Sequence, residues 1–292
     1  TAGYVAEYPG GGSAPSPVVI FGGGFDECLN EDQATYPDPS VCSASEGKGV
    51  YVVDGVTGAF IKKFDTDAPV ITDVAATDID TDGVFEFVYV ADVKGNLYRI
   101  RFADIVVNLN GLTTIPGGAI VHRTEDGASG TKPWIIEKIA AMSGTQKRFY
   151  NAPTASPLPI FGTFGVTIGS GDRERPLDTN YPYEENVQNR FYALLDAPWT
   201  DYEAERQAEE DGGPTWSRDV IDLQGGDIYV VGADLDPDDP SRDEIQDFKG
   251  WRMDLPNRGE QVANPSVVGG SKVFFNTFQP GGVSEDICAE PL

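Results

Sequence analysis

Short apolar runs separated by turn residues dominate the hydrophobic pattern of this chain. The runs are rich in β-branched and aromatic residues, and 34 Gly and 21 Pro are spread along the sequence. This pattern is typical of strands rather than helices, and it predicts an all-β fold. The predicted strands are Pro17–Phe21, Gly49–Val53, Phe87–Ala91, Asn96–Ile100, Val166–Gly169, Asp227–Val231 and Lys272–Asn276.

A weak internal repeat runs through these strands. Tyr51–Asp54 leads to Gly58, Tyr89–Asp92 leads to Gly95, and Phe191–Asp196 is a third copy of the aromatic-to-Asp step. An Asp can cap a turn through its side chain, and a Gly relieves the turn that follows. The first two copies are roughly 40 residues apart, which is the length of one four-stranded propeller blade. The repeat predicts a β-propeller; a β-sandwich with chance Tyr–Asp pairs is the alternative.

Long insertions separate the predicted blades. Residues 202–211 are the best helical stretch of the chain, and they lie inside one of these insertions. The chain of 292 residues is long enough for one large domain or two small ones, with these long loop insertions between the predicted blades. The insertions are residues 26–47, 104–133, 172–190 and 198–219.

Residues 78–86 form an acidic loop with the pattern of a metal site. Three Asp residues alternate, so a tight loop can turn all three carboxylates inward, and Gly83 follows where such a loop turns sharply. Hard oxygen ligands in a flexible cage are what calcium (Ca²⁺) prefers. The loop therefore predicts a Ca²⁺ site between two strands. Its predicted ligands are Asp78, Asp80, Asp82, the Val84 carbonyl and Glu86.

The acidic loop resembles only the first half of an EF-hand. The twelfth position of that motif needs a Glu, and Tyr89 stands there in this chain, followed by strand formers rather than a helix. The predicted site is therefore built into a β-turn and closed early by Glu86. The alternative is a solvated acidic turn that binds nothing.

A second acidic stretch lies at residues 234–243, where Asp residues also alternate with other residues. Pro237 stiffens this stretch, so a solvated loop is favoured there over a second Ca²⁺ site.

The charge of the chain excludes several classes of partner. There are 47 acidic and 21 basic residues, for a formal net charge of −26. Nucleic acids and anionic membranes need clustered Lys and Arg, so neither is an expected partner, whereas divalent cations are. No apolar window reaches the length of a membrane span.

The chain has a single histidine, His122. Catalytic triads built on histidine and metal sites with several histidines are therefore nearly excluded, and a structural role is predicted for His122.

The chain has three cysteines. Cys28 and Cys42 bracket a loop rich in Pro, Asp and Ser, which predicts a loop-closing disulfide and an oxidising compartment. Cys288 is left over, and its partner stays undetermined from the sequence.

Four ordered segments of the sequence resemble the C-terminal propeller domain of PilY-type proteins, the type IV pilus assembly factors and tip adhesins. Together they span nearly the whole chain in the family's order. The segments are Val19–Asp26 with Gly49–Gly58; Thr77–Tyr98; Gly169–Leu177 leading to Asn189–Asp196; and Gly250–Leu255 leading through Gly259–Val262 to Phe274–Phe278.

The resemblance implies a single domain over residues 1–292, a modified β-propeller, complete or incomplete. It also implies that the Ca²⁺ loop of this domain regulates pilus extension against retraction and that the domain mediates surface attachment. It places the family's metal ligands on the five residues of the acidic loop given above, with Glu86 standing where an Asp is common. It implies type IV pilus components as partners, either minor pilins or the pilus tip. It also implies an extracellular or cell-surface location, reached through the periplasm and outer membrane.

The resemblance also implies differences from the family. The family's blade before the first strand and its closing strand after the cysteine near Cys288 are not found in the sequence. We therefore expect either an incomplete ring covered by insertions such as 104–133, or a ring completed by another polypeptide. An N-terminal segment of the same precursor is the natural donor, because unpaired sheet edges need covering.

A quinoprotein-like propeller dehydrogenase of the periplasm is the alternative function. Such enzymes share blade periodicity and Ca²⁺, but their chemistry needs a redox cofactor, a base and cationic partners around the metal. The sequence has no adjacent Cys pair and no such cluster. We therefore expect a non-enzymatic protein.

Overall fold

The computed structural model describes residues 1–6, 8, 15–26, 46–106, 119–127, 131–142, 148–158, 163–171, 188–213, 216–231, 248–257, 259–270 and 272–279. These residues form strands and one helix. The elements are β1 (Ala2–Val5), β2 (Ser16–Gly22), β3 (Lys48–Asp54), β4 (Phe60–Pro69), β5 (Ala75–Thr77), β6 (Phe87–Ala91), β7 (Asn96–Arg101), β8 (Ala103–Val106), β9 (Ala119–His122), β10 (Ile135–Ala141), β11 (Thr154–Pro157), β12 (Phe164–Gly169), β13 (Arg190–Asp196), α1 (Pro198–Glu210), β14 (Ile221–Asp222), β15 (Tyr229–Val231), β16 (Gly250–Asp254), β17 (Gln261–Val262), β18 (Val267–Gly269), β19 (Lys272–Phe274) and β20 (Thr277–Phe278).

Three sheets make up most of the described structure. The first is a four-stranded antiparallel meander in the order β1-β2-β3-β4. The second has the order β14-β10-β7-β6-β5, and the third has the order β11-β12-β13-β16-β15. In each of the second and third sheets, four strands are antiparallel neighbours and a fifth strand is parallel to the strand next to it at one edge. The fifth strand is β14, beside β10, in the second sheet and β15, beside β16, in the third. The pairs β8-β9, β17-β20 and β18-β19 form smaller ribbons.

The three sheets stack face to face, and strand β6 shows how. Val88 and Val90 point into a core shared with the first sheet. Phe87, Tyr89 and Ala91 point the other way, into a core shared with the third sheet. Successive residues of a strand face opposite sides, so an entirely apolar strand needs both of its faces covered. Every residue of β6 is buried, which is the packing of successive propeller blades and not of a two-layer sandwich.

The described residues confirm the predicted strands. Each of the seven predicted segments contains an observed strand, and β6 has the predicted bounds. The strand predicted at Asp227–Val231 is shorter, beginning at Tyr229. The helix predicted over 202–211 is α1, which begins at Pro198 because proline suits the first turn of a helix.

Among the described residues, no helix has both the length and the apolar character needed to cross a bilayer.

Two copies of the repeat form the same capped turn. An oxygen of Asp54 accepts hydrogen bonds from two backbone N–H groups of its turn at 2.9 and 2.6 Å. An oxygen of Asp92 does the same at 2.9 and 3.0 Å. Gly58 and Gly95 follow with φ of 72° and 85°, the left-handed region that favours glycine. The third copy differs: Asp196 accepts its hydrogen bonds from arginine and tyrosine side chains and not from its own turn.

Several predictions fall outside the described residues. The predicted Cys28–Cys42 disulfide and Cys288 lie there, as does the acidic stretch 234–243. So do most of the insertions 26–47 and 172–190. These stay predictions.

Candidate metal centre

The acidic loop is the connection between β5 and β6. Thr77 pairs with Phe87 at the end of this hairpin, and residues 78–86 form the loop between them. Thr81, with φ of 63°, is the one non-glycine residue of the described chain in the left-handed region, and Gly83 follows at 92°. Such conformations are costly for a β-branched residue and cluster at functional sites. A Cβ on Gly83 would meet no atom within 4 Å, so the turn itself favours glycine there.

The loop brings four carboxylates together. One oxygen from each of Asp78, Asp80, Asp82 and Glu86 lies within 4.8 Å of the others. Asp80 and Asp82 are exposed, Asp78 is half-buried and Glu86 is buried. These are the four side chains that the sequence predicted as ligands, and they form a cup that is open to solvent on one side.

Backbone N–H groups of the loop fix the three Asp side chains. Asp78 Oδ2 accepts from the Gly83 N–H at 2.8 Å, and Asp82 Oδ1 accepts from the Val84 N–H at 2.8 Å. The Asp82 N–H lies 3.2 Å from Asp78 Oδ1 and 3.3 Å from Asp80 Oδ1. The loop backbone therefore curls around its own carboxylates, as it does in a loop that binds a cation. Val84 is buried, and coordination by its carbonyl stays a prediction.

Glu86 closes the floor of the cup. Its side chain is fully buried, Oε2 accepts from the Ile79 N–H at 2.7 Å, and Oε1 has no hydrogen-bond partner among the described residues. Burial raises the pKa of the Glu86 carboxyl to about 8, and the negative charges of Asp80, Asp78 and Asp82 act in the same direction. The hydrogen bond from Ile79 opposes this rise in pKa.

The backbone on both sides of Glu86 is anchored. Its N–H donates to the Thr77 carbonyl at 3.1 Å, and its carbonyl accepts from the Phe102 N–H at 2.8 Å. A buried carboxylate oxygen without a partner is unfavourable, and a cation in the cup would satisfy it. The donors are all oxygens, the ligands of hard cations. The cluster can therefore hold a metal ion.

A buried ion network was missed by the sequence reasoning. Arg99 of β7 is fully buried and contacts three carboxylates. Its Nη1 lies 2.8 Å from Asp196, and its Nη2 lies 2.6 Å from Glu137 and 2.5 Å from Asp201. Arg218 adds contacts of 2.7 Å to Asp196 and 2.5 Å to Asp201.

The network continues from β7 to the β8–β9 ribbon. Arg101 pairs with Glu137 at 2.9 Å and with Asp104. Glu205 of α1 lies 3.1 Å from Arg101 and 3.0 Å from Arg123. Each carboxylate in this network faces at least one arginine, so the network joins elements and does not present a metal site. Its signal in the sequence is the pair of arginines, Arg99 and Arg101, that alternate with apolar residues in β7.

Two further side chains lie in or next to strands away from the acidic loop. Ser170 is buried, its Oγ lies 3.2 Å from Asn189 Oδ1, and it accepts from the Arg190 N–H at 2.8 Å. It therefore holds the turn after β12. His122 ends β9, where it pairs with Ala103 of β8.

Stacked four- and five-stranded sheets with an acidic hairpin loop define the class: an all-β, propeller-type domain with a loop that can hold a metal ion. No family model matches the sequence, and no curated protein matches it.

A solved structure has the same fold. The crystal structure of the Pseudomonas aeruginosa PilY1 C-terminal domain aligns with 96% of this chain at a TM-score of 0.58 and 16% identity. This chain covers 55% of that chain, so it spans about half of its length. The resemblance drawn from the sequence is thus confirmed at the level of the fold, and the chain is a modified β-propeller.

Proposed function

We propose that this chain is a calcium-binding, non-enzymatic component of a type IV pilus system, located at the cell surface or pilus tip. In this proposal the acidic loop binds Ca²⁺ and regulates pilus extension against retraction, and the domain contributes to surface attachment. The observation that carries the proposal is the convergence of four carboxylates around the unpartnered oxygen of Glu86, within a fold shared with the PilY1 C-terminal domain.

The ligand set favours Ca²⁺ over Mg²⁺. Ca²⁺ accepts six to eight oxygens in a flexible arrangement, and Glu86 can offer both of its oxygens if the cation displaces the Ile79 N–H. Mg²⁺ demands a smaller octahedral shell and keeps several waters. A loop whose carboxylates are already held by backbone N–H groups and by a buried floor suits the larger ion.

Calorimetric titration with Ca²⁺ tests the site. The wild-type chain should give heat for one site, Asp80→Asn should weaken the affinity by about tenfold or more, and Mg²⁺ should compete poorly. Asp73→Asn is the matched control, because it removes one exposed acid just before the hairpin without touching the cluster. Equal affinity for both cations, or no heat in the wild type, contradicts the calcium site.

The pilus role has a separate test in the cell that makes this protein. The gene is deleted and complemented with the wild type, Asp80→Asn or Asp73→Asn, and surface pili and retraction are measured. We expect the deletion to lose pili or attachment. We expect Asp80→Asn to alter the balance of extension and retraction while Asp73→Asn restores it. Normal pili and attachment in the deletion strain would reject the pilus role.

The partners proposed for the domain are minor pilins or other pilus-tip components, and an N-terminal segment of the same precursor that completes the propeller. Co-purification of the native protein with these components, followed by mass spectrometry, tests both.

An ultraviolet–visible spectrum of the native protein tests the non-enzymatic role. A bound quinone absorbs light in this range, and its presence would instead indicate a dehydrogenase.

A further inference from the structure

Strand β1 is attached to the acidic loop as well as to its own sheet. The Phe85 N–H donates to the Tyr4 carbonyl at 2.8 Å, and Tyr4 forms a parallel bridge with Val84. Val84 and Phe85 are two of the three residues between Asp82 and Glu86 in the sequence. The residues that hold β1 therefore lie between two of the four carboxylates of the candidate metal centre.

The contact between β1 and Phe85 is close. A Cβ placed on Gly3 would lie 2.1 Å from the tip of the Phe85 ring, so the ring fits only because residue 3 is glycine. A second attachment lies at the start of the same hairpin, where Thr1 Oγ1 donates to the Val74 carbonyl at 2.8 Å. Strand β1 therefore bridges both ends of the hairpin that carries the acidic loop.

We propose that cation binding by the acidic loop stabilises the docking of β1 against this hairpin, and that removal of the cation releases β1. This regulation rests on the metal binding proposed above and assigns a structural consequence to it.

The physical reason is the position of the four carboxylates. Without a cation, the clustered carboxylates of Asp78, Asp80 and Asp82 repel one another, and the buried Glu86 oxygen lacks a partner. The loop relieves the repulsion by moving Asp82 away from Asp78 and Asp80, while the backbone of Glu86 stays anchored. Gly83, Val84 and Phe85 join Asp82 to Glu86, so the backbone of Val84 and Phe85 moves with Asp82, and the hydrogen bond from the Phe85 N–H to the Tyr4 carbonyl is lost.

Apart from its hydrogen-bonded ladder to β2, strand β1 has few buried contacts besides this attachment. It is a four-residue edge strand, and Val5 is its one fully buried residue. Ala2 and Tyr4 are exposed, so little apolar burial opposes its release. Segments with few buried contacts open at low free energy.

Hydrogen exchange measured by mass spectrometry tests the coupling on the whole chain. Peptides covering β1 are followed in excess Ca²⁺ and in EDTA, with β7 as an internal reference because it is buried in the middle of the second sheet. We expect Ca²⁺ to slow exchange in β1 by about tenfold or more, within the usual range of coupling between sites, and to leave β7 unchanged. At a Ca²⁺ concentration that saturates the wild type but not Asp80→Asn, β1 should exchange faster in the variant than in the wild type.

Gly3→Val separates the attachment from the metal ligands. Its side chain collides with the Phe85 ring, while Ala2→Val, on the exposed face of the same strand, is the matched control. In Gly3→Val, β1 should exchange at the same fast rate with and without Ca²⁺. Coupling between two sites is reciprocal. The affinity of Gly3→Val for Ca²⁺ should therefore fall by the same factor by which Ca²⁺ slows the exchange of β1 in the wild type.

The outcomes distinguish this inference from the proposed function. If the wild type binds Ca²⁺ in calorimetry and β1 exchanges equally fast with and without it, the coupling is wrong and the metal site stands. If no Ca²⁺ binds, both are wrong. The wild-type comparison decides the coupling even if Gly3→Val does not fold.

Discussion

Arg99 Nη1 donates to both carboxylate oxygens of Asp196, at 2.9 and 2.8 Å, across the core between the second and third sheets. The two residues are 97 positions apart in the sequence, and both are buried. Asp196 also accepts from the Tyr89 hydroxyl at 2.7 Å. The pKa of the Asp196 carboxyl is lowered below its usual value by Arg99 and Arg218, in spite of burial, which acts to raise it. This pair joins two neighbouring blades.

Loss of Arg99 should be strongly destabilising. Arg99→Met keeps an unbranched side chain but leaves Asp196, Asp201 and Glu137 short of a buried positive charge. Removing one partner of a buried ion pair costs about 3 to 5 kcal/mol of unfolding free energy. Urea denaturation followed by fluorescence measures it. Arg206→Met on the exposed face of α1 is the control and should leave the midpoint unchanged.

Helix α1 should detach when Glu205 is lost. Pro198 and Asp201 are its fully buried residues and Trp199 packs partly against the core, so ion pairs hold the rest of the helix, from Tyr202 onwards. Glu205→Ala removes contacts to Arg101, Arg123 and Lys132, and hydrogen exchange of α1 should quicken by about tenfold or more. Glu203→Ala is the control, and equal exchange in both variants would refute the role of Glu205.

The metal-free protein should lose stability as the pH rises. The pKa of Glu86 is raised from 4.5 to about 8, so between these values the folded state binds more protons than the unfolded chain. Stability from this group is therefore complete below pH 4.5 and is lost as the pH rises through 8. Thermal unfolding in EDTA measures it.

The comparison with Glu86→Gln isolates that pH effect, because the variant resembles protonated Glu86 at every pH. Wild type and variant should unfold at similar temperatures at acid pH, and the wild type should fall below the variant towards pH 8. Excess Ca²⁺ should reverse the order at pH 8, since the cation binds the carboxylate. Parallel curves in EDTA would show that Glu86 is not the responsible group.

The Asp92 turn should matter more than the Asp54 turn. Asp92 is fully buried and accepts from the Tyr98 hydroxyl at 2.9 Å and the Asn96 side chain at 2.8 Å, besides two backbone N–H groups. Asp92→Ala leaves these donors unsatisfied and should cost on the order of 3 kcal/mol. Asp54→Ala, in the solvent-facing copy of the turn, should cost clearly less in the same denaturation assay.

Local features of the sequence predicted the strands and the acidic loop well. Apolar runs such as Phe87–Ala91 show strands directly, and a nine-residue loop holds all four clustered carboxylates, so no long-range contact was needed to find them. The burial of Glu86 was not predictable, because it depends on Phe102 and on neighbouring strands. The role of Asp196 was also missed: a turn was predicted from the repeat, but its partner Arg99 lies in another sheet.

The double-sided strand β6 makes the fold sensitive to the length of its hairpin. Its bulky residues Phe87 and Tyr89 fill one layer, and its smaller residues Val88 and Val90 fill the other. Deleting one residue between Glu86 and Val90 would shift the strand register by one and exchange the two sets between layers, overfilling one and emptying the other. Evolution of this domain can therefore change residue types in β6 but not the number of its residues.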